Sequence, residues 1–426
     1  MTRLDFAGEW ELARLQVDVT GTDPWLWLKG QGQADKVYWQ SRDGRRESAG
    51  LGLACLIDST THQHLGEALE AIRRQIEASD GDLRYYGGVA FNPGEEQSGS
   101  WKELGRFRFV VPRFEIRRLD EASTLSMVIS RGADEASVMA QCLEQLGQGQ
   151  YDPPAYRVLS HDVTPTRRKW CEQMDLLRDE LGLDLEKLVL ACRERIQCSA
   201  PIDALGLLEV LRRQTKQSFE FLFSSAGWTF LGCSPEKLYE REGQTVSSEA
   251  MAGTRSVGAI GAPSLLESPK DNLEHDYVVQ DMREAFGKLE GTLEGIPAKS
   301  VVSWNSLQHL STPLVAALPD TCTDAGILQT LHPSAAVLGY PRSRAWQRLQ
   351  HYEPFRRGWY AGPVGWIGKD KAEFAVAIRS ALVRGKALEL YAGAGIVKGS
   401  DPLQEWEEIQ SKLRHYHEAL GIRQPE

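Results

Sequence analysis

Three ionisable side chains recur at helical spacing near the C-terminus. Glu405, Glu408 and Lys412 stand three and four residues apart within GSDPLQEWEEIQSKL, so a helix would bring them onto one face. Two carboxylates suit a hard cation such as magnesium (Mg²⁺), which takes few protein ligands and shares its shell with substrate oxygens. The same spacing is also typical of a solvated Glu–Lys pair that only stabilises a helix.

A further acidic group opens an earlier helix. The segment SPKDNLEHDYVVQDM begins with Ser268 as N-cap and Pro269 at the first helical position, and Glu274 follows one turn later. Acidic residues in a first turn commonly interact with the positive end of the helix dipole and have no other role. The pattern by itself leaves the role of Glu274 open.

Two residues are candidates for proton transfer. Lys187 begins the apolar strand KLVLAC, where a lysine can protect a strand end from aggregation or act as a general base. Glu249 lies in SSEAMAGTR, just before a Gly-Thr turn. It is either an acid on the surface of a hairpin or, if its carboxyl is held protonated, a general acid.

Other residues could bind an anion. Arg379 lies in the apolar strand AVAIRSAL, where an unpaired guanidinium would be costly, so a carboxylate of protein or substrate is expected beside it. Gly393 and Gly395 in YAGAGIVKGSDP would let backbone N–H groups approach a carboxylate, although such glycines also mark bulges. His309 in LQHLSTP is equally consistent with a buried core histidine.

The elements that would position these residues do not alternate as βαβ units. Helical periodicity occurs near residues 64–78, 168–182, 202–216, 272–290 and 402–420. Strand-like segments include WLWLKG, RFRFVVPRFEIRR, LSMVISR, KLVLACRER, TFLGCSPEKLYEREGQTVSSEA and FAVAIRSALVRGKALELYAGAGI. Strands joined by short turns favour an α+β or mixed α/β fold with large antiparallel sheets.

The polar stretch from Gly147 to Ala155 predicts a linker or exposed loop. It separates a strand-rich N-terminal part, residues 1–150, from a catalytic region, residues 151–426. Both parts are expected to form one compact unit, because large α/β folds can hold this much chain.

Composition excludes several classes of partner. The chain has 426 residues, 42% hydrophobic and 25% charged, with a formal net charge of −10, which argues against nucleic acid and anionic membranes as partners. Its seven cysteines are irregularly spaced, so they indicate neither a disulfide framework nor a zinc site. With no signal peptide and no apolar run long enough for a membrane span, we expect a cytoplasmic protein.

Residues from about 160 to 420 resemble the chorismate-utilising enzymes. The matching stretches are FLGCSPEKLYEREG, EAMAGTR, SPKDNLEHDYVV, LQHLSTP, LHPSAAVLGYPR, EPFRRGWYAGPVGW and YAGAGIVKGSDPLQEWEEIQSKL, in the order in which that family carries them. The resemblance implies two large antiparallel sheets packed together, with helices on their outer faces, as in anthranilate synthase component I.

The resemblance also implies a ligand set. Glu274 and Glu408 would hold Mg²⁺, and Glu405 would act nearby through water. The residues expected to bind the carboxylates or ring of chorismate are Arg379, Tyr391, Gly393, Gly395, Lys412, His309 and Thr312.

Lys187 distinguishes subgroups, because the family members that add water carry a lysine at this position. The resemblance therefore implies an isochorismate synthase, most similar to those of menaquinone biosynthesis, with Lys187 activating water and Glu249 protonating the departing 4-hydroxyl. Alternatives are a salicylate synthase, an isochorismate synthase of siderophore synthesis and a ligand-binding regulator without activity. By resemblance we also expect a monomer.

Overall fold

A computed structural model describes residues 12–32, 35–79, 82–130, 155–256, 264–304 and 307–422. Most of the predicted linker, residues 147–154, lies outside these ranges. The described strands form two large sheets in which every pairing is antiparallel. The predicted fold class, α+β with two large antiparallel sheets, is confirmed.

The first sheet contains twelve strands of the described chain. In spatial order they are β1 (Leu12–Asp18), β8 (Ala122–Ser130), β7 (Phe114–Leu119), β3 (Arg46–Leu51), β2 (Lys36–Gln40), β11 (Phe219–Ser225), β12 (Trp228–Ser234), β21 (Ser380–Arg384), β22 (Ala387–Val397), β10 (Lys187–Cys198) and β18 (Gly339–Tyr340), with β9 (Val158–Thr164) also paired to β10.

The second sheet contains ten described strands. In spatial order they are β15 (Thr292–Leu293), β17 (Leu307–Ala317), β14 (Thr245–Ser256), β13 (Lys237–Glu242), β20 (Lys371–Val376), β19 (Pro363–Ile367), β5 (Tyr85–Val89), β6 (Phe107–Val111) and β4 (Cys55–Asp58), with β16 (Ser300–Trp304) paired to β17. Both sheets mix strands from the two sides of residue 150, since β2 pairs with β11 and β5 pairs with β19.

The helices connect and flank these sheets. Within the described residues they are α1 (Pro24–Lys29), α2 (Leu65–Ala78), α3 (Arg167–Arg178), α4 (Ala204–Gln214), α5 (Pro269–Lys288), α6 (Asp324–Leu331), α7 (Arg342–Tyr352) and α8 (Pro402–Ala419). Short 3₁₀ turns span Gly99–Trp101 and Leu265–Glu267. In this part of the chain, no helix combines the length and the apolar character needed to cross a bilayer.

The segment WLWLKG is a correction, because it forms the helix α1 and not a strand. The side chain of Asp23 accepts a hydrogen bond from the backbone N–H of Leu26 at 2.8 Å, and Pro24 occupies the first helical position. These are helix-start signals that outweigh the strand propensity of the two tryptophans.

The two helices that carry the acidic candidates begin at capping residues. Ser268 accepts a hydrogen bond from the N–H of Asp271 at 3.3 Å at the start of α5. Asp401 caps α8 by accepting from the N–H groups of Leu403 and Gln404, each at 3.0 Å. Each helix then has proline at its first position, so the sequence itself sets the residue at which each helix starts.

The core lies where the inner faces of the two sheets meet. Glu373 of β20 is buried there and accepts hydrogen bonds from the indole N–H groups of Trp39 on β2, at 2.7 Å, and of Trp366 on β19, at 3.3 Å. Arg46 of β3 donates to the other oxygen of Glu373 at 2.7 Å. Hydrogen bonds from two tryptophans and an arginine to one buried carboxylate therefore join the two sheets across the core.

Candidate active site

A cavity is lined by residues of both sheets. Of the residues predicted from sequence, its lining contains Glu274, His309, Arg379, Tyr391, Gly393, Gly395, Glu408 and Lys412. These residues come from β17, β22, α5, α8 and the turn before β21. A larger cleft of about 660 Å³ lies on the other side of Tyr391 and contains only that predicted residue. The chemical groups therefore converge on the smaller cavity.

Lys187 lies directly behind the cavity wall at the start of β10. Its side chain is fully buried, and its Nζ lies 3.1 Å from Oε1 of Glu274. Gly395 on the neighbouring strand β22 makes this approach possible, because a Cβ there would lie 2.1 Å from that same oxygen and 2.9 Å from Cε of Lys187. The glycine predicted as a ligand-facing residue thus also makes room for an ion pair.

Two further carboxylates from α8 lie close to this pair. Glu405 is buried and pairs with Lys270 of α5 at 2.5 Å. Burial, together with the charges of Glu408 and Glu274, raises the pKa of Glu405 to about 7, although Lys270 opposes the shift. The charges of Glu408 and Glu274 therefore act on the carboxyl of Glu405, so three acidic side chains from two helices lie close enough to interact.

The pKa of Glu408 is lowered, in contrast to that of Glu405. Burial alone would raise the pKa of Glu408, but the charges of Lys412 and Lys270 and a hydrogen bond from Thr254 lower it overall. Its Oε1 lies 2.5 Å from Nζ of Lys412. The i,i+4 pair predicted from sequence is therefore present, yet it lines a cavity and is not a solvated surface pair.

Arg379 and Lys412 supply positive charge at the other side of the cavity. Lys412 donates to the carbonyl of Gly393 at 2.8 Å, and Nη1 of Arg379 donates to the carbonyl of Lys412 at 3.0 Å. Burial lowers the pKa of Arg379 to about 10, with the carboxylate of Glu408 opposing the shift. The arginine stays charged at neutral pH and can bind an anion.

Arg379 adopts a left-handed backbone conformation with φ of 51°. Its carbonyl accepts hydrogen bonds from the N–H of Cys233 at 3.1 Å and from the hydroxyl of Tyr416 at 2.8 Å. A non-glycine residue in this region is strained and persists only where its surroundings fix it. Here the strained residue places its guanidinium at the cavity that is the predicted substrate site.

Of the two β17 residues predicted to lie along the ring, His309 lines the cavity and Thr312 does not. Nδ1 of His309 lies 3.3 Å from the hydroxyl of Thr254, and burial together with Arg379 and Lys412 lowers the pKa of His309 to about 3. This imidazole is neutral at the cavity wall. Thr312 is buried behind it, within 2.8 Å of Nε2 of His275, and does not line the cavity.

Tyr391 lies between the smaller cavity and the larger cleft and lines both. Its ring stacks on that of Tyr360 with centroids 5.2 Å apart, while its hydroxyl donates to Glu389 at 2.7 Å and accepts from the indole of Trp101 at 3.1 Å. The hydroxyl predicted to hold a substrate carboxylate therefore bonds to protein groups in the larger cleft. The ring is the part that contributes to the smaller cavity.

Glu249, the general acid predicted from sequence, does not line the cavity. Both of its oxygens accept from Arg42, at 2.6 and 3.0 Å, and one also accepts from the N–H of Lys237 at 2.8 Å. A bidentate arginine and a backbone donor therefore engage both oxygens of Glu249 within the protein.

Glu236 is an acidic residue of the cavity that was not predicted from sequence. It lies in the turn between β12 and β13, is buried and lines the cavity. Burial and the negative charge of Glu249 raise its pKa to about 8, although Lys187, Lys412 and Arg42 oppose the shift. An acidic residue directly after Ser234 and Pro235, at the end of an apolar strand, was the available signal in the sequence.

The site combines a protonated carboxyl, a buried amine, clustered carboxylates and two cations within one enclosed region. Such an arrangement can bind an anionic molecule, hold a divalent cation and move protons at two separate points.

Comparison with known proteins points to one family. The sequence matches the profile of the family described as "Chorismate binding enzyme" over residues 3–421. It is 32% identical to the isochorismate synthase MenF of Bacillus subtilis over 352 residues, which cover 79% of this chain and 74% of that protein. It is 30% identical to the Escherichia coli MenF over 414 residues, which cover 94% of this chain and 90% of the relative.

Solved structures agree on the fold. The structure of MenF, "the Menaquinone-Specific Isochorismate Synthase from Escherichia Coli", superposes with a TM-score of 0.80 at 27% identity, covering 96% of this chain and 95% of that one. Anthranilate synthase component I from Streptococcus pneumoniae superposes with a TM-score of 0.74 at 19% identity, covering 86% and 91%.

Proposed function

The chain belongs to the chorismate-binding enzymes, and we propose on that premise that it is an isochorismate synthase of the menaquinone type. It is an isomerase that adds water at carbon 2 of chorismate and releases the 4-hydroxyl. The observation that carries the proposal is that Glu274 and the high-pKa carboxyl of Glu236 line one cavity, while Lys187 lies directly behind its wall and pairs with Glu274 at 3.1 Å.

The carboxylate cluster fits a magnesium ion. The raised pKa of Glu405, caused by burial and by Glu408 and Glu274, reflects a crowding of negative charge that a dication would relieve. Glu274 and Glu408 would hold the ion, with Glu405 nearby through water, as hard oxygen ligands suit Mg²⁺. The bound ion would neutralise a substrate carboxylate and orient the ring.

The protein's own groups would complete substrate binding. Arg379 and Lys412 provide charge-assisted donors for carboxylates, and β22 places the backbone of Gly393 and Gly395 at the cavity surface. His309 is neutral and can contact the ring without adding charge. These local cations overcome the unfavourable net charge of −10 for an anionic substrate.

Proton transfers would then be shared between two side chains. Lys187 takes one proton from the water whose oxygen bonds to carbon 2, and the ring double bond shifts. Glu236, as the acid, gives one proton to the 4-hydroxyl, which leaves as water. One water enters and one leaves, so the reaction is a net isomerisation. We assign the acid role to Glu236 in place of Glu249, because Glu249 is bound by Arg42.

The test uses the purified protein with chorismate and magnesium chloride, followed by chromatographic identification of the product. Isochorismate is expected, and removal of magnesium with a chelator should abolish its formation. Lys187→Ala should lose most turnover but still bind chorismate. Salicylate and pyruvate as main products would show a salicylate synthase, and no conversion by folded protein would refute the proposal.

A matched pair of variants tests the acid. Glu236→Gln should lower kcat by about 10²–10⁴, the usual contribution of general acid catalysis. Glu249→Gln should keep kcat within about tenfold, because its side chain binds Arg42 and touches no substrate. The reverse pattern would restore Glu249 as the acid.

Two expectations from sequence remain proposals, namely that the enzyme is a monomer and that it works in the cytoplasm. Light scattering on the purified protein and fractionation of cells test them.

A further inference from the structure

A second group of metal-ligating side chains lies away from the cavity. His161 of β9, Glu194 of β10 and His417 of α8 place one ligand atom each within 4.8 Å of one another. Nε2 of His161 lies 2.9 Å, and Nε2 of His417 lies 2.6 Å, from the same oxygen of Glu194. Three separate elements therefore direct two imidazoles and one carboxylate at a common point.

The cluster lies on the other face of β10 from the proposed catalytic lysine. Lys187 and Glu194 are seven residues apart on a strand that pairs with β22 without a bulge between them, so their side chains point to opposite faces. His161 pairs directly with Ile196, two residues from Glu194, and so shares the face of Glu194. The cluster is separate from the carboxylates proposed for magnesium.

Burial leaves part of this cluster without partners. Glu194 and His417 are 0% and 2% exposed. Among the described residues, the second oxygen of Glu194 and Nδ1 of His417 have no hydrogen-bond partner. A buried carboxylate oxygen without a donor is costly, and a cation between the three side chains would satisfy it.

We propose that His161, Glu194 and His417 form a second metal site that binds a divalent transition ion of the zinc class. Two imidazoles and one carboxylate are ligands that Zn²⁺ prefers, whereas magnesium prefers oxygen alone. Three protein ligands leave a fourth position for water. Since His161 is partly exposed, solvent and the ion have a route to the site.

The competing explanation is a hydrogen-bonded triad in which protons lie between each imidazole and Glu194. In that state Glu194 would accept a hydrogen bond from each imidazole, and a metal would have to displace both protons. The two explanations differ in one measurable respect. A metal site binds one transition ion per chain through the imidazoles, whereas a hydrogen-bonded triad binds none.

The site would fasten α8 to the sheet. His417 lies on the same helix as Glu405, Glu408 and Lys412, so an ion shared with β9 and β10 would fix the end of the helix opposite to the proposed magnesium ligands. Its presence would stabilise the folded protein by mass action.

The experiment uses tag-free protein with saturating magnesium, titrated with Co²⁺ as a spectroscopic substitute for zinc. One equivalent of Co²⁺ should produce the strong visible absorption of a four-coordinate ion, and Zn²⁺ should remove it by competition. His161→Gln and His417→Gln should each weaken Co²⁺ binding at least tenfold. His415→Gln, on the same helix but outside the cluster, and Glu408→Gln should leave the absorption unchanged.

Circular dichroism shows whether each variant is folded, and His161→Gln decides the question if substitution of the buried His417 prevents folding. Absence of the absorption in the folded wild-type protein would overturn the proposal. So would an absorption that survives in His161→Gln, because the ion would then lie elsewhere. Neither result depends on isochorismate formation, so the proposed function stands or falls separately.

Discussion

At the scale of single residues, each carboxylate proposed for the magnesium site contacts a lysine. The pairs are Glu274 with Lys187 at 3.1 Å, Glu405 with Lys270 at 2.5 Å, and Glu408 with Lys412 at 2.5 Å. Without an ion, the lysines therefore compensate buried negative charge that would otherwise be costly. A fourth acid, Glu236, is buried and has no lysine within ion-pair distance among the described residues, and its pKa rises to about 8.

This difference predicts the pH dependence of turnover. Burial raises the pKa of Glu236 to about 8, so the carboxyl carries its proton below that pH and loses it above. If Glu236 is the general acid, kcat should fall about tenfold per pH unit above about pH 8. Steady-state rates from about pH 6 to about pH 10 measure this limb.

The control for the pH profile is Glu249→Gln. In this variant kcat should still fall at alkaline pH, because the wild-type side chain of Glu249 is bound to Arg42 and takes no part in proton transfer. The limb should shift toward neutral pH in this variant, since removing the negative charge of Glu249 lowers the pKa of Glu236. Loss of the limb in this variant would contradict the assignment.

A second prediction at the residue scale concerns Gly395. A methyl group at this position would lie 2.1 Å from Oε1 of Glu274 and 2.9 Å from Cε of Lys187, and real contacts of that length do not occur. Gly395→Ala should therefore displace one of the two side chains. We expect kcat to fall at least tenfold and the free energy of unfolding to fall by about 1–3 kcal/mol.

The matched control is Gly295→Ala, where a new Cβ meets nothing within 4 Å. Its stability and its kcat should change little. Kinetics with chorismate and thermal denaturation of both variants check the pair. If Gly395→Ala keeps full activity, the geometry of Lys187 and Glu274 is not essential to the reaction.

At the scale of elements, α8 positions the substrate-facing strand segment as well as its own acids. The hydroxyl of Tyr416 donates to the carbonyl of Arg379 at 2.8 Å, and the carbonyl of Lys412 accepts from the guanidinium at 3.0 Å. The helix therefore holds Arg379, whose backbone is strained, at its carbonyl and at its guanidinium.

Tyr416→Phe tests this coupling. The variant removes one hydrogen bond, which costs about 1 kcal/mol of stability, and frees the backbone of Arg379. We expect KM for chorismate to rise several-fold while kcat changes less, because carboxylate binding is weakened more than proton transfer. A merely structural role would lower stability without moving KM. Tyr277→Phe, which removes a hydroxyl bonded to Glu186 at 2.7 Å on α5, is the control.

Periodicity predicted the elements best where helices are long and capped. The stretches predicted near residues 64–78, 168–182, 202–216, 272–290 and 402–420 all form helices with bounds shifted by only a few residues. The short helices α6 and α7 and the capped helix α1 were not predicted. In α1 the buried residues Trp25 and Trp27 suggested a strand, although Asp23 and Pro24 already indicated a helix start.

Local sequence could not identify the pairs that decide the site. The contact of Arg42 with Glu249 joins residues 207 positions apart, and only the sheet pairing brings them together. The burial of Glu236 likewise depends on both sheets, so its raised pKa has no local signal beyond the residue itself. Tertiary packing determines which carboxyl is paired and which is not, and it is the reason for proposing Glu236 in place of Glu249 as the acid.

At the scale of the whole molecule, one buried carboxylate joins the two sheets. Glu373 accepts the indole N–H groups of Trp39 and Trp366 and pairs with Arg46, which also contacts Glu240 at 2.5 Å. Trp39 and Arg46 belong to the first sheet, while Glu373 and Trp366 belong to the second. The network is distant in sequence from the catalytic candidates but spans the interface that encloses them.

Glu373→Ala should therefore destabilise the molecule without altering its chemistry. The substitution leaves two buried indole N–H groups without their acceptor and removes one of the carboxylate partners of Arg46, which together cost about 3–5 kcal/mol. For a chain of this size we expect Tm to fall by roughly 5–10 °C, whereas kcat measured well below that temperature should stay near the wild-type value. Glu242→Ala, an exposed acid on β13 paired with Lys371, should change Tm little. Equal losses in both variants, or a large fall in kcat with Tm unchanged, would contradict a role for Glu373 in holding the sheets together.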